Sequence, residues 1–214
     1  MDDFRYDPYL KLYLPLGELD GASFMSRDAY GHLCTVTGAT YVAQGWYFDG
    51  VDDVITIPDS ASLDLTTTGT IEAWIKPAVV NAYLTALSKG RIDVQDNCYA
   101  LFVTNTGVPE IYFDKVATAA IIVAGDAMAA NQWYHIVGTW DGTTISFYQN
   151  GAFKNSALQT YNQAGTDNVL TIGNSENLTY DFNGVIGEVR IYNRALTLGE
   201  IQHIYNTTKW KYSG

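Results

Sequence analysis

The chain has 214 residues, of which 47% are hydrophobic and 16% charged, and its 12 Lys and Arg against 23 Asp and Glu give a formal net charge of −11. This composition excludes an intrinsically disordered chain, because disorder requires few aromatic residues and a high charged fraction. The acidic balance also argues against a nucleic-acid partner, since neutralising phosphates requires a basic surface.

Short strand patterns dominate the chain and are separated by tight-turn sequences. In chain order we predict strands over Leu10–Leu14, Trp46–Asp49, Val54–Ile57, Gly69–Pro77, Tyr83–Ser88, Tyr99–Thr104, Glu110–Phe113, Ala120–Val123, Trp133–Trp140, Thr144–Gln149, Leu170–Gly173 and Val185–Tyr192. Asp-Gly and Asn-Gly pairs, as at Asn150-Gly151, favour tight antiparallel connections. The pattern predicts an all-β protein built as a two-sheet sandwich or a barrel.

One segment near the end has helical character. Thr197-Leu198-Gly199-Glu200 forms a capping box, and apolar residues at helical spacing follow it. We therefore predict a short helix from Leu198 to Tyr205. The domain is expected to cover residues 1–206, and residues 207–214 are expected to form a polar and aromatic tail.

Four motifs in register carry a family resemblance. They are Trp46-Tyr47-Phe48-Asp49-Gly50, Ile71-Glu72-Ala73-Trp74-Ile75, Gln132-Trp133-Tyr134-His135 with Thr139-Trp140-Asp141-Gly142, and Ile186-Gly187-Glu188-Val189-Arg190-Ile191-Tyr192. This order resembles the laminin-G-like jelly-roll domains of the concanavalin A-like lectin/glucanase superfamily. The resemblance implies two packed antiparallel sheets with adjacent terminal strands, and a binding site on edge loops or on one sheet face.

The resemblance also implies a structural calcium ion. The matching positions here are Asp28, Asp49, Asp52, Asp53 and Glu188, although Gly187 replaces an aspartate that relatives commonly have. Carboxylate oxygens suit this cation. The alternative for Asp49 and Asp52 is turn formation, in which their side chains accept hydrogen bonds from nearby backbone amides.

Aromatic and amide side chains in loops are the candidates for ligand binding. Sugar recognition combines aromatic platforms with a few polar partners. The candidate residues are Tyr83, Asn81, Tyr161, Asn162, Tyr180 and Asn177. For these tyrosines, burial in the core is an equally good interpretation.

A catalytic role is not expected. Retaining glycosidases need two carboxylates about 5.5 Å apart. The nearest pair, Glu110 and Asp114, lies roughly 13 Å apart along an extended strand. Ordinary solvated acids are therefore the preferred interpretation.

The tail and the cysteines each leave two interpretations open. Trp210 and Tyr212 are predicted to dock onto a partner, the alternative being that the tail folds back onto its own sheet. Cys34 and Cys98 are either two buried thiols or one disulfide. No segment is long and apolar enough for membrane insertion, and no signal peptide is expected.

The leading functional hypothesis is a non-catalytic module that recognises a glycan or a cell-surface ligand. The alternative is a virion structural protein, such as a capsid decoration or tail component, that contacts a capsid or a neighbouring subunit. Both hypotheses place the protein at an extracellular surface or in a virion.

Overall fold

The computed structural model describes residues 7–92, 96, 98–175 and 180–213. These residues form β-strands, one α-helix and short 3-10 turns. The strands are β1 (Leu10–Pro15), β2 (Ser23–Met25), β3 (Leu33–Thr37), β4 (Thr40–Val42), β5 (Gly45–Asp49), β6 (Val54–Ile57), β7 (Gly69–Pro77), β8 (Leu84–Lys89), β9 (Tyr99–Val103), β10 (Pro109–Lys115), β11 (Thr118–Ala124), β12 (Tyr134–Trp140), β13 (Thr144–Gln149), β14 (Ala152–Leu158), β15 (Leu170–Ile172) and β16 (Asn183–Tyr192). Helix α1 (Leu198–Thr208) follows.

The strands form two antiparallel sheets of eight within the described residues. The first has the order β14-β13-β12-β7-β16-β5-β4, and β1 pairs with the last part of β16. The second has the order β11-β10-β9-β8-β15-β6-β3-β2. The predicted two-sheet antiparallel jelly-roll sandwich is therefore confirmed, and the terminal strands are adjacent as the resemblance implied.

The core lies between the sheets and follows the period-2 alternation of the strands. Ile71, Ala73 and Ile75 of β7 are fully buried against residues such as Leu101 and Ile111 of the second sheet. Their neighbours in β7 point to the opposite face, because successive side chains of a strand alternate. Each sheet therefore also has an outer face.

Helix α1 packs on the outer face of the first sheet. Its Ile201 and Ile204 join Tyr13, Val137 and Tyr192 in a second apolar cluster. The capping box is confirmed: the Glu200 amide donates to the Thr197 hydroxyl at 3.3 Å, and the Thr197 amide donates to the Glu200 carboxylate at 2.8 Å. The helix ends three residues later than predicted and runs directly into a 3-10 turn at Lys209–Tyr212.

Four strands were not predicted: β2, β3, β4 and β14. The first three are short, and β14 consists of Ala, Lys, Asn and Ser with one Phe and one Leu, residues that mostly have low strand propensity. Pairing with β13 holds β14 in place. Cys34 and Cys98 are buried free thiols, so the disulfide interpretation was wrong. Across the described ranges, no helix has the length and apolar character needed to span a membrane.

Candidate functional site

Three aromatic side chains meet on the outer face of the second sheet. The rings of Tyr83 and Phe102 stack with centroids 5.5 Å apart and planes 9° from parallel. Tyr180 lies edge-on to Tyr83 at 5.6 Å and to Phe102 at 5.8 Å. We call Tyr83, Phe102 and Tyr180 the aromatic platform.

The alternation of β9 and the following loop explain how the platform forms. Tyr99, Leu101 and Val103 face the sandwich core, so Phe102 must face outward. Tyr83 directly precedes β8, which is the neighbour of β9. The Thr85 amide of β8 donates to the Tyr180 carbonyl at 3.0 Å and so fixes the loop that carries Tyr180.

A carboxylate lies beside the platform. Glu110 of β10 is the register partner of Phe102, so the two side chains are neighbours on the outer face. Glu110 is half-buried, and this burial raises its pKa above the ordinary value. The site therefore combines an aromatic surface with a group that is both a hydrogen-bond acceptor and, when protonated, a donor.

This arrangement suits stacking against a ligand with an apolar face. Tyr83 is 45% exposed, whereas Phe102 is buried and covers one side of the Tyr83 ring. The remaining side of Tyr83 is open to solvent, and Asn81 is exposed two residues before it. Tyr83, Asn81 and Tyr180 were predicted from the sequence as ligand-binding residues, whereas Phe102 was not predicted and Glu110 was considered only as a catalytic acid. The alternation of β9 and β10 could have placed both on the same face.

Two of the other predicted ligand-binding residues lie elsewhere. The Tyr161 hydroxyl donates to the carbonyls of Phe113 and Ala119 at 2.8 and 3.0 Å, and its ring stacks on Phe113. The side-chain oxygen of Asn162 accepts a hydrogen bond from Gln159. Neither residue joins the platform, because Tyr161 packs on Phe113 and Asn162 is bonded to Gln159, and their role in ligand binding stays a prediction. Asn177 lies outside the described residues.

The carboxylates considered for glycosidase chemistry occupy different environments. Asp114 is fully buried and accepts a hydrogen bond from the Cys98 amide at 2.5 Å. Glu110 lies at the surface, and Tyr112 is between them along β10. Asp114 therefore has a structural position beneath the outer face rather than one that faces a substrate.

Three of the five residues predicted to bind calcium come together in the turn between β5 and β6. Each of Asp49, Asp52 and Asp53 has a carboxylate oxygen within 4.8 Å of the other two. Burial raises the pKa of Asp53; the Asp49 amide counteracts this, and the two neighbouring carboxylates add to it. Asp181 is a fourth acid nearby. Burial is the main cause of its raised pKa, and the charges of Asp49 and Asp52 raise it further.

The same residues also form the turn. The Asp49 amide donates to Asp53 at 2.8 Å, and the Val51 amide donates to Asp49 at 2.9 Å. These contacts occupy one oxygen of each side chain and leave the Asp52 carboxylate exposed at the surface. The donor set consists of hard oxygen atoms that fit calcium, and backbone capping is established for two of the three residues.

Asp28 and Glu188, which were also predicted as calcium ligands, do not belong to this cluster. Asp28 accepts hydrogen bonds from the amides of Tyr13, Tyr30 and Gly31 and so shapes its own loop. Glu188 is buried and pairs with Arg190 at 2.6 Å and with Lys211. The carboxylate of Glu188 is therefore neutralised by side chains of this chain.

The tail folds back onto the first sheet. The Tyr212 ring stacks on Trp74 at 4.4 Å and packs against Trp133 at 4.6 Å, and its hydroxyl accepts a hydrogen bond from the Glu188 amide. Tyr212 is buried, so its predicted docking to a partner was wrong, because the sheet itself covers the ring. Trp210 is 69% exposed.

Comparisons with known proteins agree with the fold. The family model described as the concanavalin A-like lectin/glucanases superfamily matches residues 49–202. No curated protein matches the chain.

Solved structures of similar fold include the receptor binding domain of botulinum neurotoxin D, with 15% identity, a TM-score of 0.75, and coverage of 94% of this chain and 53% of that chain. The botulinum neurotoxin serotype D ligand binding domain in complex with N-acetylneuraminic acid has 15% identity and a TM-score of 0.75, and the match covers 93% of this chain and 51% of that chain. The binding domain of Paraclostridial Mosquitocidal Protein 1 has 14% identity and a TM-score of 0.72, and the match covers 93% of this chain and 52% of that chain. The chain thus spans about half the length of these structures.

Proposed function

The chain belongs to the laminin-G-like domains of the concanavalin A-like lectin/glucanases superfamily, and from this we propose that it is a non-catalytic recognition module for glycans at a cell surface. The observation that carries the proposal is the aromatic platform. Its Tyr83 ring is open on one side and supported on the other by Phe102. An aromatic ring held in this way loses little conformational entropy on binding, which favours affinity.

The chemistry of the platform matches a sugar ring. The C–H face of a pyranose is apolar and stacks on an aromatic ring, while its hydroxyl groups need polar partners at the rim. Glu110 supplies such a partner next to Phe102, and Asn81 is an exposed amide two residues before Tyr83. Two of the similar structures are receptor binding and sialic-acid-bound ligand binding domains, which supports a binding role for a domain of this shape.

A glycan array tests this proposal. Wild-type protein should bind a defined set of glycans, and Tyr83→Ala should lose those that bind at the platform while remaining folded, since the ring is largely at the surface. Phe153→Ala is the matched control, because Phe153 is also an aromatic residue that is 50% exposed but lies on the first sheet. Absence of binding by wild-type protein, both with calcium and with a chelator, overturns the proposal.

Calcium binding at Asp49, Asp52 and Asp53 is a second part of the proposal. A divalent cation would relieve the repulsion among these acids and Asp181, whose pKa is raised in part by Asp49 and Asp52. The ion would serve to hold the β5–β6 turn. Isothermal titration of chelator-treated protein should show binding that Asp52→Asn weakens, and no heat at millimolar calcium contradicts it.

The alternative role in a virion stays a prediction, as does the surface location of the protein. Light scattering separates the two roles, because a recognition module needs no fixed assembly whereas a capsid decoration functions as a defined oligomer or with a capsid partner. A monomer that binds glycans supports the proposal. A stable trimer without glycan binding supports the virion role.

A further inference from the structure

A second cleft lies on the opposite side of the sandwich from the aromatic platform. It has a volume of about 290 Å³ and is bounded by the 3-10 turn after β1, the β4–β5 turn, β16 and the C-terminal tail. This volume is at the lower end of the range for small-molecule sites. The cleft therefore suits one or two rings of a small ligand rather than a protein segment.

Trp210 forms an exposed wall of this cleft and is held rigidly. Its indole N–H donates to the Thr207 carbonyl at 2.8 Å, so the ring presents its face without an unsatisfied donor. The next residue is fixed by Gln44, whose amide donates to the Lys211 carbonyl at 2.6 Å. Tyr212 is anchored on Trp74, so the tail cannot swing without breaking buried contacts.

The charged groups that line the cleft are two acids and one base, and the base pairs with both acids. Glu188 pairs with Arg190 and Lys211, and Lys211 also lies 3.8 Å from Glu18. The lining thus presents two carboxylates, Glu18 and Glu188, and one cation, Lys211. This excess of negative charge repels an anionic ligand, so a neutral sugar is favoured over a sialylated or sulfated one.

Polar atoms remain available at the rim for such a ligand. Glu18 is 65% exposed and accepts hydrogen bonds, and Lys211 is 30% exposed and donates them. A hydroxyl group can donate to one and accept from the other, while an apolar C–H face stacks on the indole ring. We infer that the cleft beside Trp210 is a second carbohydrate site, selective for neutral sugars, so that one domain carries two sites on opposite sheets.

The test uses full-length protein on an array of neutral, sialylated and sulfated glycans. Trp210→Ala should weaken binding of neutral glycans at least tenfold, and Glu18→Gln should weaken it less. Phe153→Ala, the control of similar exposure on β14, should leave it unchanged. Both mutated positions are exposed, so loss of the fold is not expected to obscure the result.

The outcomes separate this inference from the proposed function. If Trp210→Ala loses the binding of neutral glycans and Tyr83→Ala keeps it, the second site is supported. If Tyr83→Ala loses the binding of neutral glycans and Trp210→Ala keeps it, the second site is overturned while the proposed binding at the platform is supported. Acrylamide quenching gives an independent readout, since the neutral glycans should protect the fluorescence of Trp210, and unchanged quenching in their presence counts against the inference.

Discussion

Replacing Arg190 by Met should destabilise the protein strongly, because it removes the cation at the centre of a buried charge network. The guanidinium donates to Glu72 at 2.5 Å and to Glu188 at 2.6 Å, and it lies 4.7 Å from the Tyr13 ring centroid. Both carboxylates are almost completely buried. Methionine keeps the length and apolar stem of the side chain but none of the charge.

The size of the stability loss depends on which partners the two buried carboxylates retain. Glu188 keeps Lys211 as a partner, whereas among the described residues Glu72 keeps His135, 3.4 Å away. Removing one member of a buried ion pair costs about 3–5 kcal/mol, because a desolvated charge remains without its partner. We therefore expect urea denaturation at pH 7 to show a loss in this range.

The stability lost in Arg190→Met should depend on pH, because it involves the ionised form of Glu72. Burial would raise the pKa of Glu72, but Arg190 and then His135 hold it below the ordinary value in the native protein. The resulting stability is present above the unfolded pKa of roughly 4.3 and is lost as the pH falls through the folded pKa. Without Arg190 the pKa of Glu72 rises, so protonation relieves the variant and the difference from wild type shrinks on acidification.

Two controls sharpen this experiment. Adding Glu72→Gln to Arg190→Met should recover much of the loss, because the isolated carboxylate is gone. Lys154→Met breaks the exposed pair with Asp126 and should cost less than about 1 kcal/mol. A loss below about 1 kcal/mol for Arg190→Met, or a loss that is the same at pH 7 and pH 5, would refute the reasoning.

Three further predictions concern single contacts. Thr197→Ala removes the hydroxyl that caps α1 and should cost about 1 kcal/mol in thermal unfolding, and no change would contradict the role of the capping box with Glu200. Gly173→Ala should lower the free energy of unfolding by at least about 2 kcal/mol, because residue 173 has a φ of +86° and a Cβ there would lie 2.1 Å from the Phe48 ring. Near-wild-type stability would be evidence against this packing. Burial, with Asp28 adding to it, raises the pKa of Cys34 to about 12, so this thiol should resist Ellman's reagent at pH 8 until the protein unfolds, and rapid native labelling would show that it is accessible.

Strand periodicity made most of the fold predictable. In β7, Ile71, Ala73 and Ile75 occupy every second position and face the core, and the predicted bounds of the strand agree with the structure. The helix start was equally clear, since the capping box is a local signal. Strand β14 was missed because its residues have little strand preference of their own and pairing with β13 decides its structure.

The candidate sites were harder to predict, because convergence is a property of tertiary structure. Tyr83 and Tyr180 are 97 positions apart in sequence, and the hydrogen bond from the Thr85 amide to the Tyr180 carbonyl and the contact between the two rings hold them together. Glu188 was assigned to a metal site from the family resemblance, and its pairing with Lys211 comes from the folded-back tail, which its own segment does not reveal. The same tail hides Tyr212 and exposes Trp210, two aromatic residues that composition alone does not distinguish.

The central claim is that the aromatic platform binds sugar, and titration calorimetry tests it most directly. The ligand is the tightest glycan whose binding on the array Trp210→Ala leaves unchanged, and it is titrated into wild-type protein, Tyr83→Ala and the Phe153→Ala control. A stacked aromatic at the centre of a site contributes about 2 kcal/mol or more, which corresponds to a roughly 30-fold loss of affinity. We predict such a loss for Tyr83→Ala and wild-type affinity for Phe153→Ala, whereas equal affinity for wild type and Tyr83→Ala would contradict the claim.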